Sequence, residues 1–139
     1  MFAFQLPLVP ELALARNDFA AIRSAFHTAS VRPGAFTDAD VERHVDALRP
    51  PGALGAALNY YRAAFRGGGV RPRRVDHPVL VLWGDKDPYL VSELADPGSE
   101  WTTAARTLHV PEAGHWIQHD VPDLVSSALV RFFSEGQST

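Results

Sequence analysis

An α/β fold is predicted for this chain, with a helical first part followed by a strand–crossover–strand–helix ending on a short parallel sheet. Three observations predict it. The texture changes near Pro72, from Ala-rich segments broken by Pro and Gly to short strand and loop patterns. Pro78-Val79-Leu80-Val81-Leu82-Trp83 is a continuous apolar run, as expected of a parallel strand covered on both faces. After Pro122, Leu124, Val125, Ala128, Leu129 and Phe132 recur at helical spacing and make a buried stripe.

The elements follow in order. Asn17 or Asp18 caps a helix through Phe19, Ile22 and Phe26. Thr37 with Asp40 three residues on forms a capping box, with Asp as a shorter substitute for Glu. The helix it opens buries Val41, Val45 and Leu48 and stops at Pro50-Pro51. The next begins near Gly52 and runs through Leu54, Leu58, Tyr61 and Phe65, until Gly67-Gly68-Gly69 ends it. Beyond the first strand, Glu93 to Trp101 reads as a loop or broken helix, and Thr107 to Val110 as a second short strand. Strand, crossover, strand and closing helix form a βαβ-type ending. The domain division falls at residues 1–70 and 71–139, and residues 136–139 fray.

Composition narrows the function. The 139 residues suffice for one domain with a modest core. A net charge of −3 gives no pull toward nucleic acid or an anionic membrane. Arg71, Arg73 and Arg74 read as a solvated linker. With no cysteine there is neither a disulfide framework nor a thiol nucleophile. The apolar start Met1-Phe2-Ala3-Phe4 has no basic flank and is interrupted by Pro7 and Pro10, so neither a signal peptide nor a membrane span is expected there. A cytoplasmic location is expected.

The chemistry centres on Asp87 and His115. In open α/β sheets, reactive groups sit on loops just beyond the carboxyl ends of strands. Gly84-Asp85-Lys86-Asp87 follows the first strand, and Ala113-Gly114-His115-Trp116 follows the second. An ionised Asp accepting from the imidazole Nδ1–H fixes the tautomer, and Nε2 then activates water. Gly114 turns the loop sharply before the histidine, and Trp116 packs beside it. Read singly, Asp85 and Asp87 also fit turn-formers, and His115 a satisfied loop histidine. His115 and His119 lie four apart, but no Glu follows the first His and Pro122 starts its helix later, so no metal is expected. His109 sits in the second strand, and His27, His44 and His77 belong to no constellation. Tyr60 and Tyr61 are either packing aromatics or hydrogen-bond donors to a developing alkoxide. Neither a Gly-x-Ser-x-Gly nor a Gly-x-Asp-x-Gly nucleophile turn occurs in the sequence.

These residues resemble a known family. Phe4-Gln5-Leu6-Pro7, Pro10-Glu11 and Asn17-Asp18-Phe19 are similar to the start of the cap domain of epoxide hydrolases, in the α/β-hydrolase superfamily. Leu58-Asn59-Tyr60-Tyr61-Arg62 resembles the cap helix whose tyrosine assists ring opening, with Tyr61 in that place. Val79 to Asp87 resembles the acid-bearing strand and loop, and Ala113-Gly114-His115-Trp116 the histidine loop. The resemblance runs nearly end to end and implies the C-terminal half of such an enzyme. The fold is then an incomplete α/β-hydrolase, with a helical cap (lid) over 1–70 and the C-terminal part of the core over 71–139. It implies a small apolar epoxide as substrate, a diol as product and no cofactor. Asp87 and His115 activate water, and Tyr61 assists ring opening. The aspartate nucleophile on its elbow and the His-Gly-x-Pro oxyanion loop of that family are absent from these residues. A fragment, a late-starting reading frame or a degraded gene is the expectation. The alternatives are a haloalkane-dehalogenase-like or other α/β-hydrolase with the same acid and base, and a non-catalytic truncated remnant.

Two parallel strands make a poor sheet, and Val79, Val81 and Leu82 then present faces that want cover. The chain alone is therefore expected to self-associate through its sheet and core faces, aggregate or stay partly molten. Analytical ultracentrifugation with a thermal melt checks this, and a monodisperse, cooperatively melting monomer contradicts it.

Overall fold

A computed structural model describes residues 2–66 and 73–135. The expected stop at Gly67-Gly68-Gly69, Arg71 of the arginine linker and the fraying tail lie outside the described residues. The helices are α1 (Val9–Ala29), α2 (Asp38–Leu48), α3 (Ala53–Arg66), α4 (Ile117–Asp120) and α5 (Pro122–Glu135), and the strands are β1 (Val79–Gly84) and β2 (Ala105–Val110). Single 3₁₀ turns stand at Phe2–Gln5 and Ser92–Ala95.

The chain forms two compact units. The first takes residues up to His27 and from Phe36 through α3, and the second takes Thr28–Ala35 and the residues from β1 onward. The short piece Thr28–Ala35 thus leaves the helical part and packs with the strands.

In the first unit, α1 starts at Val9, earlier than the sequence reading, and breaks at Arg16–Phe19. Asn17, Asp18 and Phe19 have φ of 52°, 53° and 59°, in the left-handed region. Asp18 does not act as the expected cap. Its carboxylate instead meets Arg23 at 2.8 Å and Arg49 at 2.6 Å. Phe19 is carried into the core at the break, 8% exposed. The capping box at α2 forms fully: Thr37 Oγ1 accepts from the Asp40 N–H at 3.1 Å, and Asp40 Oδ2 accepts from the Thr37 N–H at 3.0 Å. Val41 and Val45 face inward and are fully buried.

Leu58 is the buried residue of α3, whereas Tyr61 and Phe65 are 38% and 50% exposed. Beyond Leu58 the helix is thus less covered, and its far end packs against the N-terminal 3₁₀ turn. Arg62 makes that junction, donating to both Glu11 oxygens at 2.7 and 3.1 Å and to the Phe4 and Leu6 carbonyls at 2.8 and 2.9 Å.

In the second unit β1 and β2 pair in parallel, from Val79 opposite Ala105 to Gly84 opposite Val110. β2 starts two residues before the predicted Thr107. With two strands only, Val79 to Trp83 are half-buried rather than covered on both faces. The α5 stripe is likewise half-buried, with Leu129 39% exposed. The crossover carries the Ser92–Ala95 turn. Thr107 Oγ1 donates to the Ala95 carbonyl at 3.0 Å, which pins that turn over the sheet with Ala95 fully buried.

Thr37→Ala removes the Oγ1 arm of the capping box, leaves the backbone N–H arm to Asp40 in place, and should cost about 1 kcal/mol. A shift in the urea midpoint without a change of slope checks this.

Candidate functional site

The site is built where the loops after the two parallel strands cross. β1 runs into a turn closed by the Asp87 N–H on the Gly84 carbonyl at 3.2 Å. β2 runs into the loop that carries Ala113-Gly114-His115. Backbone hydrogen bonds then join the loops, from the Asp85 N–H to the Val110 carbonyl at 3.1 Å and from the Lys86 N–H to the Ala113 carbonyl at 2.9 Å. Glycine is required at the crossing. A Cβ on Gly84 would sit 2.7 Å from the Ala113 carbonyl carbon, and one on Gly114 would sit 2.8 Å from Val31 Cγ2 and 3.3 Å from the Lys86 carbonyl oxygen. Gly114 does not adopt positive φ, so the demand for glycine here is one of space.

This crossing brings Asp87 and His115 together. Asp87 Oδ2 lies 2.8 Å from His115 Nδ1, with the acid side chain 9% exposed and the imidazole 34% exposed. The other oxygen, Oδ1, accepts from the Tyr89 and Leu90 N–H groups at 2.8 and 3.1 Å. Asp87 is therefore a turn-former and a histidine partner at once, through different oxygens. Burial pushes its carboxyl up, but the His115 bond and the two backbone donors outweigh this and hold it below the usual value of 3.8. The acid is ionised at neutral pH and accepts the Nδ1–H, which leaves Nε2 as the base. Tyr89 and Trp116 stand edge-on to the ring at 5.0 and 5.5 Å between centroids and limit its rotation.

Two features escaped the sequence reading. Asp85 pairs with His109, Oδ1 to Nδ1 at 2.6 Å, on a more exposed surface. Only the strand register, which sets His109 opposite Trp83, shows that pairing. The second is Asp120, 4% exposed at the end of α4. It accepts from the Gly114 N–H at 2.8 Å, from the Val31 and Arg32 N–H groups at 3.1 Å each, and from the Ser30 hydroxyl. Burial pushes this carboxyl up too, and its four donors hold it below 3.8. An acidic residue before Val121-Pro122 carries no local signal of that role. These contacts also explain why Thr28–Ala35 packs with the strands.

Tyr61 stands in the first unit. Its ring lies edge-on to Phe4 at 5.5 Å and to Tyr60 at 5.7 Å. Among the described residues no three His, Asp or Glu side chains gather as metal ligands would. None of the described helices is long and apolar enough to cross a membrane.

No family model matches the chain. It is 36% identical over 130 residues to the AB hydrolase superfamily protein YfhM of Bacillus subtilis, covering 93% of this chain and 45% of that protein. It is 32% identical over 139 residues to epoxide hydrolase 4 of Mus musculus, covering 96% of this chain and 39% of that one. Among solved structures, an epoxide hydrolase of Bacillus megaterium in complex with an inhibitor superposes with a TM-score of 0.79 at 24% identity, covering 94% of this chain and 49% of that one. The chain thus spans less than half the length of these proteins.

Both buried carboxylates have folded-state pKa values below their unfolded values. Their contribution to stability is therefore present above about pH 4 and lost as pH falls through the lower folded values. Urea midpoints measured from pH 7 down to pH 2 should drop steeply below about pH 4 in the parent. The drop should be shallower in Asp87→Asn, whose own baseline is lower. An equally steep drop in that variant would contradict the assignment.

Proposed function

From the premise that this chain is an incomplete α/β-hydrolase similar to epoxide hydrolases, we propose that it supplies the water-activating part of an epoxide-opening enzyme. The 2.8 Å contact between Asp87 and His115 carries this reading. Residues 1–70 serve as the cap and 71–139 as the C-terminal part of the core.

The reaction has two steps. A nucleophilic aspartate from outside these residues attacks an epoxide carbon, and the carbon–oxygen bond breaks. Tyr61, assigned by its place in the cap-like helix, donates its proton to the departing oxygen. The product is a hydroxyalkyl ester on the aspartate. His115 Nε2 then takes a proton from water, and the resulting hydroxide attacks the ester carbonyl. The ester bond breaks, which returns the aspartate carboxylate and releases a diol. The proton on the imidazolium restores the tyrosine. Throughout, Asp87 keeps Nδ1 protonated and stabilises the imidazolium.

The half-buried sheet residues Val79 to Trp83 support the view that another polypeptide surface covers them, whether a nucleophile-bearing segment or a second copy of the chain.

Styrene oxide offered to the chain alone, and to the chain mixed with the nucleophile-bearing N-terminal half of a similar epoxide hydrolase, tests this. Diol should form in at least the mixture. His115→Ala should reduce it on the order of 100-fold or more, the range of a general base. Equal diol formation by parent and variant would overturn the role of His115. Diol in neither sample would favour a non-catalytic module.

A further inference from the structure

We propose that Asp120 is a positioning residue for His115. Its carboxylate clamps the histidine loop at the register in which the imidazole meets Asp87. The proposal rests on the reading of Asp87 and His115 as the water-activating pair and extends it.

The clamp has two jaws. Oδ2 holds the N–H of Gly114, the residue directly before His115, at 2.8 Å. Oδ1 holds the Val31 and Arg32 N–H groups at 3.1 Å each, together with the Ser30 hydroxyl. The Arg32 guanidinium closes the same grip, donating to the His119 carbonyl from Nε at 3.1 Å and from Nη2 at 2.6 Å. One carboxylate, 4% exposed, thus joins the loop after β2, the end of α4 and the Ser30–Arg32 segment.

The geometry leaves Gly114 little freedom. On its amide side it is tied to Asp120. The preceding carbonyl, of Ala113, is tied to the Lys86 N–H at 2.9 Å. Val31 Cγ2 and the Ala29 and Lys86 carbonyl oxygens crowd the space where a side chain would stand. The direction in which the chain enters His115 is set by these contacts. Without the acceptor, the Gly114 N–H is left buried and unsatisfied, and the loop relieves that by shifting. A shift of about 1 Å is enough to break a hydrogen bond such as the one between His115 and Asp87. No step of the reaction uses Asp120 itself, which is why it acts through position.

Residue-specific acylation by diethyl pyrocarbonate, read by peptide mass spectrometry on the full chain, tests this without any epoxide. His27, His44, His77 and His109 serve as internal references. In Asp120→Asn, His115 should react about tenfold faster, the factor that accompanies loss of one charge-assisted hydrogen bond. The four references should stay within about twofold. Asp120→Glu, which restores a carboxylate, should return His115 to near the parent rate. An unchanged His115 overturns the proposal. A uniform rise at all five histidines also overturns it, because Asp120 then holds the whole fold and not the loop. Failure of Asp120→Glu to slow His115 overturns the part played by the carboxylate. Diol in neither the chain alone nor the mixture would defeat the proposed function and leave this result standing.

Discussion

Two loops cross at a distance only glycine allows, and the candidate site depends on that crossing. At Gly84 the end of β1 meets the backbone of Ala113 and Gly114 too closely for any side chain. The contact draws the two strand ends together, and the hydrogen bonds from Asp85 and Lys86 lock them. Asp87 and His115 face each other because their backbones are stapled a few residues earlier. A contact between two side chains alone would have to overcome the rotamer entropy of both. Here most of that cost is met by backbone bonds and by packing.

The carboxylates show one way of keeping a charge in a half-dry place. Asp87 divides its two oxygens between the backbone and the ring, and Asp120 divides its own between two chain segments. In each case burial alone favours the neutral acid, and a full set of donors reverses the preference. Losing one donor from such a set leaves a poorly solvated charge, so these residues are sensitive to substitution in a way that the exposed ion pairs around Arg49 are not. The difference separates charges that shape the site from charges that decorate the first unit.

The scaffold is asymmetric in its cover. α2 buries Val41 and Val45 completely, and its capping box is fully formed. The parallel pair and α5 keep their apolar residues half-buried, since two strands and one helix offer each other limited area. The chain spans less than half the length of the proteins it is similar to.

Much of the fold was legible in the sequence because it is local. Pro50-Pro51 set a helix limit, Thr37 and Asp40 announced a cap three residues apart, and the apolar run at 79–83 fitted a strand. Asp87 and His115 were legible because each follows a strand end, where open α/β sheets place reactive groups, and Asn59 to Arg62 with Gly114 to Trp116 carried the resemblance to epoxide hydrolases. What required the tertiary structure was long-range. Asp120 reaches back some ninety residues to Ser30, Val31 and Arg32, and no periodicity encodes such a contact. The pairing of Asp85 with His109 follows from strand register, which two short strands do not specify by pattern. The exposure of Tyr61, the break at Asn17–Phe19 and the half-covered faces of β1 and α5 likewise depend on what lies next to each element in space. Sequence determined which groups are present and where the chain bends, because those depend on neighbours within one turn. Tertiary structure decided which groups meet, because that depends on how distant backbones cross.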